Sequence, residues 1–312
     1  MKKTAFLFPG QGSQSVGMGL DLYEEYDIVR ELFDMVEEIS KINISKLCFK
    51  GPLEELTETI NLQPAITAVN LAGLAAIQKE NITPDISAGH SLGEYSALCS
   101  SGIVSKEDTL RLVFKRGELM HRDSLLHKGA MDAVIGLPID VVAGLVSDHQ
   151  NEGIVAVANH NTEHQIVITG EPDAVKTVSS AAVAMGAKSL PLKVSGAWHS
   201  ELIRNAQKEF GQFINEISFC EPKNPMVFNV TGDIVEGVDE IKTIMAQQLC
   251  SPVKWFDTIC LLVEENVEIF VEVGPGTVLT GLLKKILPKD YPCKIYRVNN
   301  MKNLEQFFKE AT

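Results

Sequence analysis

The sequence lacks the cysteine pattern and the positive charge that several classes of protein require. Its six cysteines are scattered along 312 residues, without a C-x-x-C pair or a histidine at ligand spacing. We therefore expect reduced, mostly buried thiols, with no metal site and no disulfide framework. Lys and Arg number 28 against 41 Asp and Glu, so the formal net charge is −13. This charge argues against nucleic acid as a partner. A basic cluster at Lys284, Lys285 and Lys289 suits either a docking patch for an acidic partner or a solvated helix face.

Long apolar runs, repeats and low-complexity tracts are also missing. Two lysines near the start precede an apolar run of four residues that ends at Pro9, which is too short for the core of a signal peptide. No segment reaches the length that crosses a bilayer. We therefore expect a cytoplasmic protein that has no membrane partner.

What is present is an ordinary globular composition, 45% hydrophobic and 22% charged residues. Short apolar runs alternate with helical patterns, which is typical of a parallel sheet covered by helices. Strands are predicted at residues 5–8, 86–88, 226–230 and 269–273, each followed by a glycine-containing turn. Because ligands bind at the carboxyl ends of such strands, Gln11, Ser91 and the turn 229–232 should share one rim.

The middle of the chain breaks this alternation. Residues 131–194 read as strand 131–136, helix 139–150, strand 154–158, turn 159–164, strand 165–169, helix 172–185 and strand 189–194. This β-α-β-β-α-β order is that of a ferredoxin-like unit. We predict an α/β fold in which a ferredoxin-like subdomain at 128–197 is inserted into a discontinuous core formed by 1–127 and 198–312.

Residues 89–93 read Gly-His-Ser-Leu-Gly and follow the predicted strand at 86–88. Small residues on both sides of a serine permit a sharp strand-to-helix turn that exposes its hydroxyl. Ser91 is therefore a candidate nucleophile. The pentapeptide alone also fits a purely structural turn.

A serine nucleophile needs a base, and His199 is the best placed of seven histidines. It follows the last strand of the inserted unit and precedes an amphipathic helix that Ser200 can cap. His90 lies beside the serine, where it would support the turn. The others lie in polar stretches that we expect to be exposed: His121, His127, His149, His160 and His164.

Arg116 lies on an apolar stripe of a helix that Ser105 should cap and that should run to about residue 122. Its helical neighbours are all apolar: Leu112, Val113, Leu119 and Met120. Because an uncompensated buried charge is costly, the guanidinium needs a partner. That partner is either an internal carboxylate or a carboxylate carried by a substrate, which the planar guanidinium can bind with two hydrogen bonds.

Several motifs together resemble one family. They are 8–14 (FPGQGSQ), 89–94 (GHSLGE), Arg116-Gly117 with Met120, 195–200 (SGAWHS), Gln248-Leu249 with Pro252-Val253, and 272–276 (EVGPG). In this order, and over nearly the whole chain, they resemble malonyl-CoA:acyl carrier protein transacylases, including the discrete acyltransferases that serve polyketide synthases. The resemblance implies an α/β-hydrolase-like core with a ferredoxin-like insert, and it implies malonyl-CoA and acyl carrier protein as partners.

The resemblance also implies the catalytic roles. Ser91 would form a malonyl ester by a ping-pong mechanism, with His199 as the base. The backbone N–H groups of Gln11 and Leu92 would bind the oxyanion. The Gln248 backbone carbonyl would orient His199, so that the two residues act as a dyad without an aspartate.

The resemblance further implies that Arg116 binds the free carboxylate of malonate. Other pocket-lining or supporting positions match less fully: Gln63, Met120, Asn159 and Asn161. Trp198 replaces the phenylalanine that is usual before the histidine. The larger indole should leave less room for an α-methyl branch, so we expect malonyl to be preferred over methylmalonyl. His121 stands where many members have glutamine.

Two other functions compete with malonyl transfer. An acyl-thioester hydrolase would use the same serine and histidine, but relatives that edit carrier-bound chains lack the arginine. A catalytically silent docking protein would not need Ser91, His199, Arg116 and Gln11 together. We expect a monomer without cofactor or metal. Neither the pathway, fatty acid or polyketide, nor the surface that docks the carrier follows from the sequence.

Overall fold

The computed structural model describes residues 2–311. Its first half contains β1 (Thr4–Phe8), α1 (Leu20–Glu25), α2 (Asp27–Ser40), α3 (Ile44–Lys50), α4 (Leu53–Thr57), α5 (Thr59–Lys79), β2 (Ile86–Gly89), α6 (Gly93–Ser100), α7 (Lys106–Leu126), β3 (Ala130–Ile135), α8 (Ile139–Asp148) and β4 (Val155–Thr162). Its second half contains β5 (Gln165–Gly170), α9 (Pro172–Ala184), β6 (Lys188–Pro191), α10 (Arg204–Ile214), β7 (Met226–Phe228), β8 (Asp233–Ile234), α11 (Val238–Gln247), α12 (Trp255–Glu264), β9 (Ile269–Val273), α13 (Val278–Ile286), β10 (Lys294–Val298) and α14 (Met301–Ala311).

A six-stranded sheet forms the centre of the molecule, in the order β10-β9-β1-β2-β7-β8. All its pairs are parallel except β7 with β8. Phe8 at the end of β1 pairs with Gly89 at the end of β2, and Ala88 pairs with Val227 of β7. The turns after β1, β2 and β7 therefore lie side by side at one edge, as the predicted rim requires.

Helix α5 is the core helix of this layer. Nearly all its residues are buried, and apolar side chains cover its whole circumference. Its 21 residues are long and apolar enough to cross a membrane by length and composition, so the expectation that no segment reaches that length was wrong. Because 89% of its apolar window is buried inside the protein, packing in the core accounts for the composition.

A second, antiparallel sheet has the order β4-β5-β3-β6 and is covered by α8 and α9. The chain order β3-α8-β4-β5-α9-β6 is the predicted ferredoxin-like arrangement. With the parallel central sheet, it confirms the predicted fold class. The bounds predicted for the two units, 128–197 and the remainder, stay a prediction.

The structure corrects the prediction in four places. Residues 159–162, expected in a turn, continue β4, which pairs irregularly with β5 at two register shifts. The strand expected at 226–230 ends at Phe228, and helix α7, with Ser105 as its cap, continues past residue 122 to Leu126. All six cysteines are unpaired, as expected. They are not mostly buried, however: Cys48 is buried, Cys220 is exposed, and the other four are partly exposed.

Candidate active site

Ser91 occupies a tight turn between β2 and α6. Its backbone φ of 50° lies in the left-handed region, which costs a non-glycine residue about 1 kcal/mol or more. Gly89 and Gly93 are required because neighbouring backbone leaves no room for a side chain at either position. A Cβ at Gly89 would lie 2.1 Å from the Gly93 carbonyl carbon, and one at Gly93 would lie 1.9 Å from the Phe8 oxygen. The pentapeptide thus forms the strained strand-to-helix turn that the sequence predicts.

The hydroxyl of Ser91 lies 2.8 Å from Nε2 of His199. On the other side of the ring, His199 Nδ1–H donates to the backbone oxygens of Gln248 (3.1 Å) and Ser251 (2.9 Å). Because Nδ1 carries the hydrogen, Nε2 is the acceptor and the serine O–H donates to it. The two side chains are therefore arranged for proton transfer from Ser91 to His199.

Burial keeps this histidine neutral. Desolvation is the main cause that lowers the pKa of His199 to about 3, and the positive charge of Arg116 lowers it further. A neutral imidazole can accept a proton at physiological pH. No carboxylate contacts Nδ1 among residues 2–311, so backbone carbonyls do the orienting that an aspartate does in a triad.

Arg116 projects from α7 to the nucleophile and is only 2% exposed. Its Nη1 donates to Gln63 Oε1 (2.9 Å), and its Nη2 donates to Ser91 Oγ (3.2 Å). The guanidinium lies 5.5 Å from the centre of the Tyr95 ring. Within the described chain no carboxylate forms a salt bridge with it, and its Nε has no partner. The internal ion pair left open by the sequence is thus not formed, and burial lowers the pKa of Arg116.

A cavity of about 100 Å³ opens in front of Ser91. It is lined by Gln11, His90, Ser91, Leu92, Arg116, Met120, Met131, Asn159, Leu192, Val194, Trp198 and His199. Pockets for drug-sized ligands usually measure roughly 300–1,000 Å³. The volume therefore suits a small chemical group.

Trp198 forms part of the cavity wall and is 5% exposed. The six-membered part of its indole lies against Gly196, where a Cβ would be 2.6 Å from Cη2. Its Nε1–H is buried and has no acceptor among residues 2–311. The ring is therefore held by packing alone and not by a hydrogen bond.

The predicted oxyanion donors lie beside the nucleophile. Both Gln11 and Leu92 line the cavity. No acceptor in the described part of the chain takes either backbone N–H. The turn after β1 closely approaches the serine turn, since a Cβ at Gly10 would lie 2.5 Å from the His90 oxygen. Two free N–H groups next to the serine are what an oxyanion site needs.

The remaining predicted residues occupy different positions around the cavity. Asn159 lines it, whereas Asn161 is one step removed and accepts from His90 Nε2 (2.8 Å). Gln63 is also one step removed and lies between Arg116 and Met120, whose sulfur is 3.3 Å from Gln63 Nε2.

The structure confirms that His127 and His164 are exposed, but it corrects this expectation for His121, His149 and His160, which are partly buried. The ring of His160 stacks on Phe256 at 4.9 Å and lies 3.6 Å from Asp257 Oδ2, and one ring nitrogen of His121 is buried. Both positions looked exposed from their polar sequence neighbours, which do not reveal long-range packing.

Comparison with known proteins decides the family. An acyl transferase domain family matches residues 5–308. The chain belongs to the acyl transferase family. The malonyl CoA-acyl carrier protein transacylase of Bacillus subtilis strain 168 is 41% identical over 288 residues, 92% of this chain and 91% of that protein. The polyketide biosynthesis protein ThaF of Burkholderia thailandensis is 44% identical over 91% of this chain, but only 24% of ThaF is covered. The transacylase family predicted from the sequence is confirmed.

A solved structure has the same fold as this acyl transferase over nearly the whole chain. It is a type II polyketide synthase acyl carrier protein in complex with its malonyl-transacylase. This chain and the matched chain of that complex superpose with a TM-score of 0.93 at 35% identity. The match covers 98% of this chain and 99% of the matched chain.

Sequence reasoning missed Asn229 and Ser251 as residues of the acyl transferase site, and it missed the side-chain contact of Gln248. Asn229 Oδ1 accepts the Ser91 backbone N–H (2.7 Å), and Ser251 shares the hydrogen bond of His199. The side chain of Gln248 donates to the Ser91 oxygen (2.9 Å). The sequence pointed to Asn229 only through its position in the turn after β7, which was predicted to lie at the same sheet edge as Ser91. The others become neighbours through folding of distant segments.

Proposed function

We propose that the protein transfers a malonyl group from malonyl-CoA to the phosphopantetheine thiol of an acyl carrier protein, through an ester on Ser91. The single observation that carries the proposal is the buried guanidinium of Arg116, which has no carboxylate partner in residues 2–311 and contacts the nucleophile. A substrate carboxylate would compensate this charge. The names of the relatives support the same substrate class.

The first half-reaction forms the ester. His199 Nε2 takes the proton from Ser91 as Oγ attacks the thioester carbonyl of malonyl-CoA. The tetrahedral intermediate collapses by breaking the C–S bond, and the proton on His199 passes to the departing thiolate to give free CoA. The backbone N–H groups of Gln11 and Leu92 would hold the oxyanion, and loss of one such donor typically costs about 10²-fold or more in rate.

The second half-reaction uses the same atoms in reverse roles. His199 takes the proton of the carrier thiol, and the thiolate attacks the malonyl ester. The C–O bond to Ser91 breaks, and the serine oxygen recovers the proton from His199. Because CoA leaves before the carrier reacts, a ping-pong mechanism follows.

The acyl group would lie between Arg116 and Trp198. In this position the guanidinium pairs with the malonyl carboxylate, and Met120 and Trp198 enclose the α-carbon. We propose that this wall disfavours an α-methyl branch. Asn159, Asn161 and Gln63 would support the pocket. The cytoplasmic location and the monomeric state predicted from the sequence stay predictions.

The experiment combines the protein with radiolabelled malonyl-CoA and holo acyl carrier protein. Label should move to the carrier, and double-reciprocal plots should show the parallel lines of a ping-pong mechanism. Release of the label as free malonate would favour the thioester hydrolase instead, and absence of turnover would contradict both activities.

A further inference from the structure

Glu94 is a buried carboxylate that the proposed chemistry does not use. It is fully buried in α6, three residues after the nucleophile, and no Lys or Arg of residues 2–311 forms a salt bridge with it. Its oxygens accept instead from the backbone N–H of Asn229 (2.7 Å) and from the side chain of Gln248. Burial raises the pKa of Glu94 to about 7. A buried carboxylate is costly unless its oxygens accept hydrogen bonds, and both donors to Glu94 also contact the active site.

One oxygen fixes the loop behind the serine turn. Asn229, whose N–H Glu94 accepts, uses its side chain to bridge that turn. Its Oδ1 accepts from the Ser91 N–H (2.7 Å), and its Nδ2 donates to the Gly89 oxygen (2.7 Å). These contacts hold Ser91 in the left-handed conformation, which needs surrounding interactions to persist. They also occupy the Ser91 N–H and leave the next one, on Leu92, free.

The other oxygen fixes the residue that orients the histidine. Gln248 Nε2 donates both to Glu94 and to the Ser91 backbone oxygen (2.9 Å), while Tyr95 donates its hydroxyl to Gln248 Oε1 (3.2 Å). The main-chain oxygen of Gln248 accepts from His199 Nδ1 (3.1 Å). The position of that carbonyl is thus tied to Glu94 through a single residue.

We propose that Glu94 is a positioning residue that sets the nucleophile and its base in register, one carboxylate oxygen acting on the Ser91 turn through Asn229 and the other on His199 through Gln248. The proposal rests on the proposed function, in which Ser91 and His199 react together. A displacement of reacting groups by about 1 Å can cost on the order of 10²-fold in rate, so loss of either hydrogen bond should slow ester formation.

The test is Glu94→Gln, which keeps the shape but replaces one acceptor by an NH₂ donor. One of the two N–H donors then loses its acceptor. In rapid-quench measurements with malonyl-CoA we expect the maximal rate of malonyl-enzyme formation to fall about 10- to 100-fold. The malonyl-CoA concentration that gives half of this rate should not change, because Arg116 and the cavity wall are not altered. In protein labelled with ¹⁵N-histidine, the low-field Nδ1–H resonance of His199 should shift.

Glu272→Gln is a matched control. Glu272 is another buried carboxylate, 2% exposed, and it accepts from the N–H groups of Leu279 and Thr280 (both 2.9 Å) at the start of α13. Burial raises its pKa as well. This substitution should lower the melting temperature while the rate of ester formation and the His199 resonance remain as in the unaltered protein.

An unaltered rate and resonance in folded Glu94→Gln would overturn the inference, as would equal rate losses in both variants. If Glu94→Gln does not fold, Tyr95→Phe removes the hydroxyl that donates to Gln248 and should slow ester formation a few-fold, roughly the value of one hydrogen bond; an unchanged rate would again overturn it. Failure of the unaltered protein to form any malonyl-enzyme would refute the proposed function, and the resonance would still test the positioning by Glu94.

Discussion

The two sides of the cavity differ in how completely their polar atoms are hydrogen-bonded. On the side of the dyad, both ring nitrogens of His199 have partners, and Asn229 and Gln248 hold the backbone of Ser91. On the acyl side, Arg116 Nε and Trp198 Nε1 are buried without an acceptor in residues 2–311.

This difference separates two kinds of preorganisation. Groups that react repeatedly are held by bonds within the protein, which cost no rearrangement during the reaction. Buried donors without an acceptor are unfavourable until a ligand supplies one. We therefore expect the substrate carboxylate to bind at the unpartnered nitrogen of Arg116.

The largest effect should come from Ser91→Ala. This substitution removes Oγ, which contacts both His199 and Arg116. We expect the burst of CoA release to fall at least about 10³-fold, because the oxygen proposed to form the ester is removed. Stopped-flow detection of the free thiol measures it. Ser180→Ala changes a serine on α9 whose hydroxyl has the Lys176 oxygen as its only hydrogen-bond partner within residues 2–311, and this variant should keep the full burst. A persistent burst in Ser91→Ala would contradict the role of Ser91.

Arg116→Ala should next separate malonyl from acetyl substrates. Loss of two charge-assisted hydrogen bonds is worth about 3 kcal/mol, so kcat/KM for malonyl transfer should fall on the order of 10²-fold. Acetyl transfer should be spared or improved, since acetate has no second carboxylate. Arg111→Ala is the control, because that arginine lies on the same helix but pairs with Asp108 (2.9 Å) at the surface. Equal losses for both acyl groups would refute the assignment.

The buried histidine should make stability depend on pH. The pKa of His199 is lowered from 6.5 to about 3, so the unfolded chain binds a proton that the folded chain does not over this range. Stability from this group is present above pH 6.5 and is lost as the pH falls towards 3. Between pH 7 and pH 5, the free energy of unfolding of the unaltered protein should fall by about 2 kcal/mol more than that of His199→Gln. Urea unfolding at both pH values measures this, and identical losses would contradict the burial of a neutral ring.

The smallest effect should follow from Trp198→Ala, which opens the wall near the acyl α-carbon. The ratio of kcat/KM for methylmalonyl over malonyl should rise roughly tenfold, the lower range for one methyl group in a packed pocket. Competition between the two CoA esters measures the ratio. If the ratio does not rise, Trp198 does not exclude the α-methyl branch. The indole, which packs against Gly196, would then only close the cavity wall.

Local sequence was sufficient where one segment determines the feature. The glycines at 89 and 93 predicted the turn around Ser91, because only glycine fits so close to neighbouring backbone. The cap at Ser105 and the apolar neighbours of Arg116 predicted a helix with a buried guanidinium. Both the parallel rim and the inserted β-α-β-β-α-β unit followed from the order of elements.

Features that depend on distant segments could not be predicted. Asn159, His160 and Asn161 favour turns in isolation, yet they continue β4. There the strand pairs with β5, the His160 N–H donates to the Val253 oxygen (2.9 Å), and Asn161 accepts from His90. Tertiary hydrogen bonds override local preference at this point.

The most direct test of the central claim is a crystal structure of the malonyl-enzyme. We expect the ester on Ser91 and the malonyl carboxylate paired with two nitrogens of Arg116, including Nε, which has no acceptor in the described residues. A carboxylate that points to solvent, with Nε still unpartnered, would contradict the account.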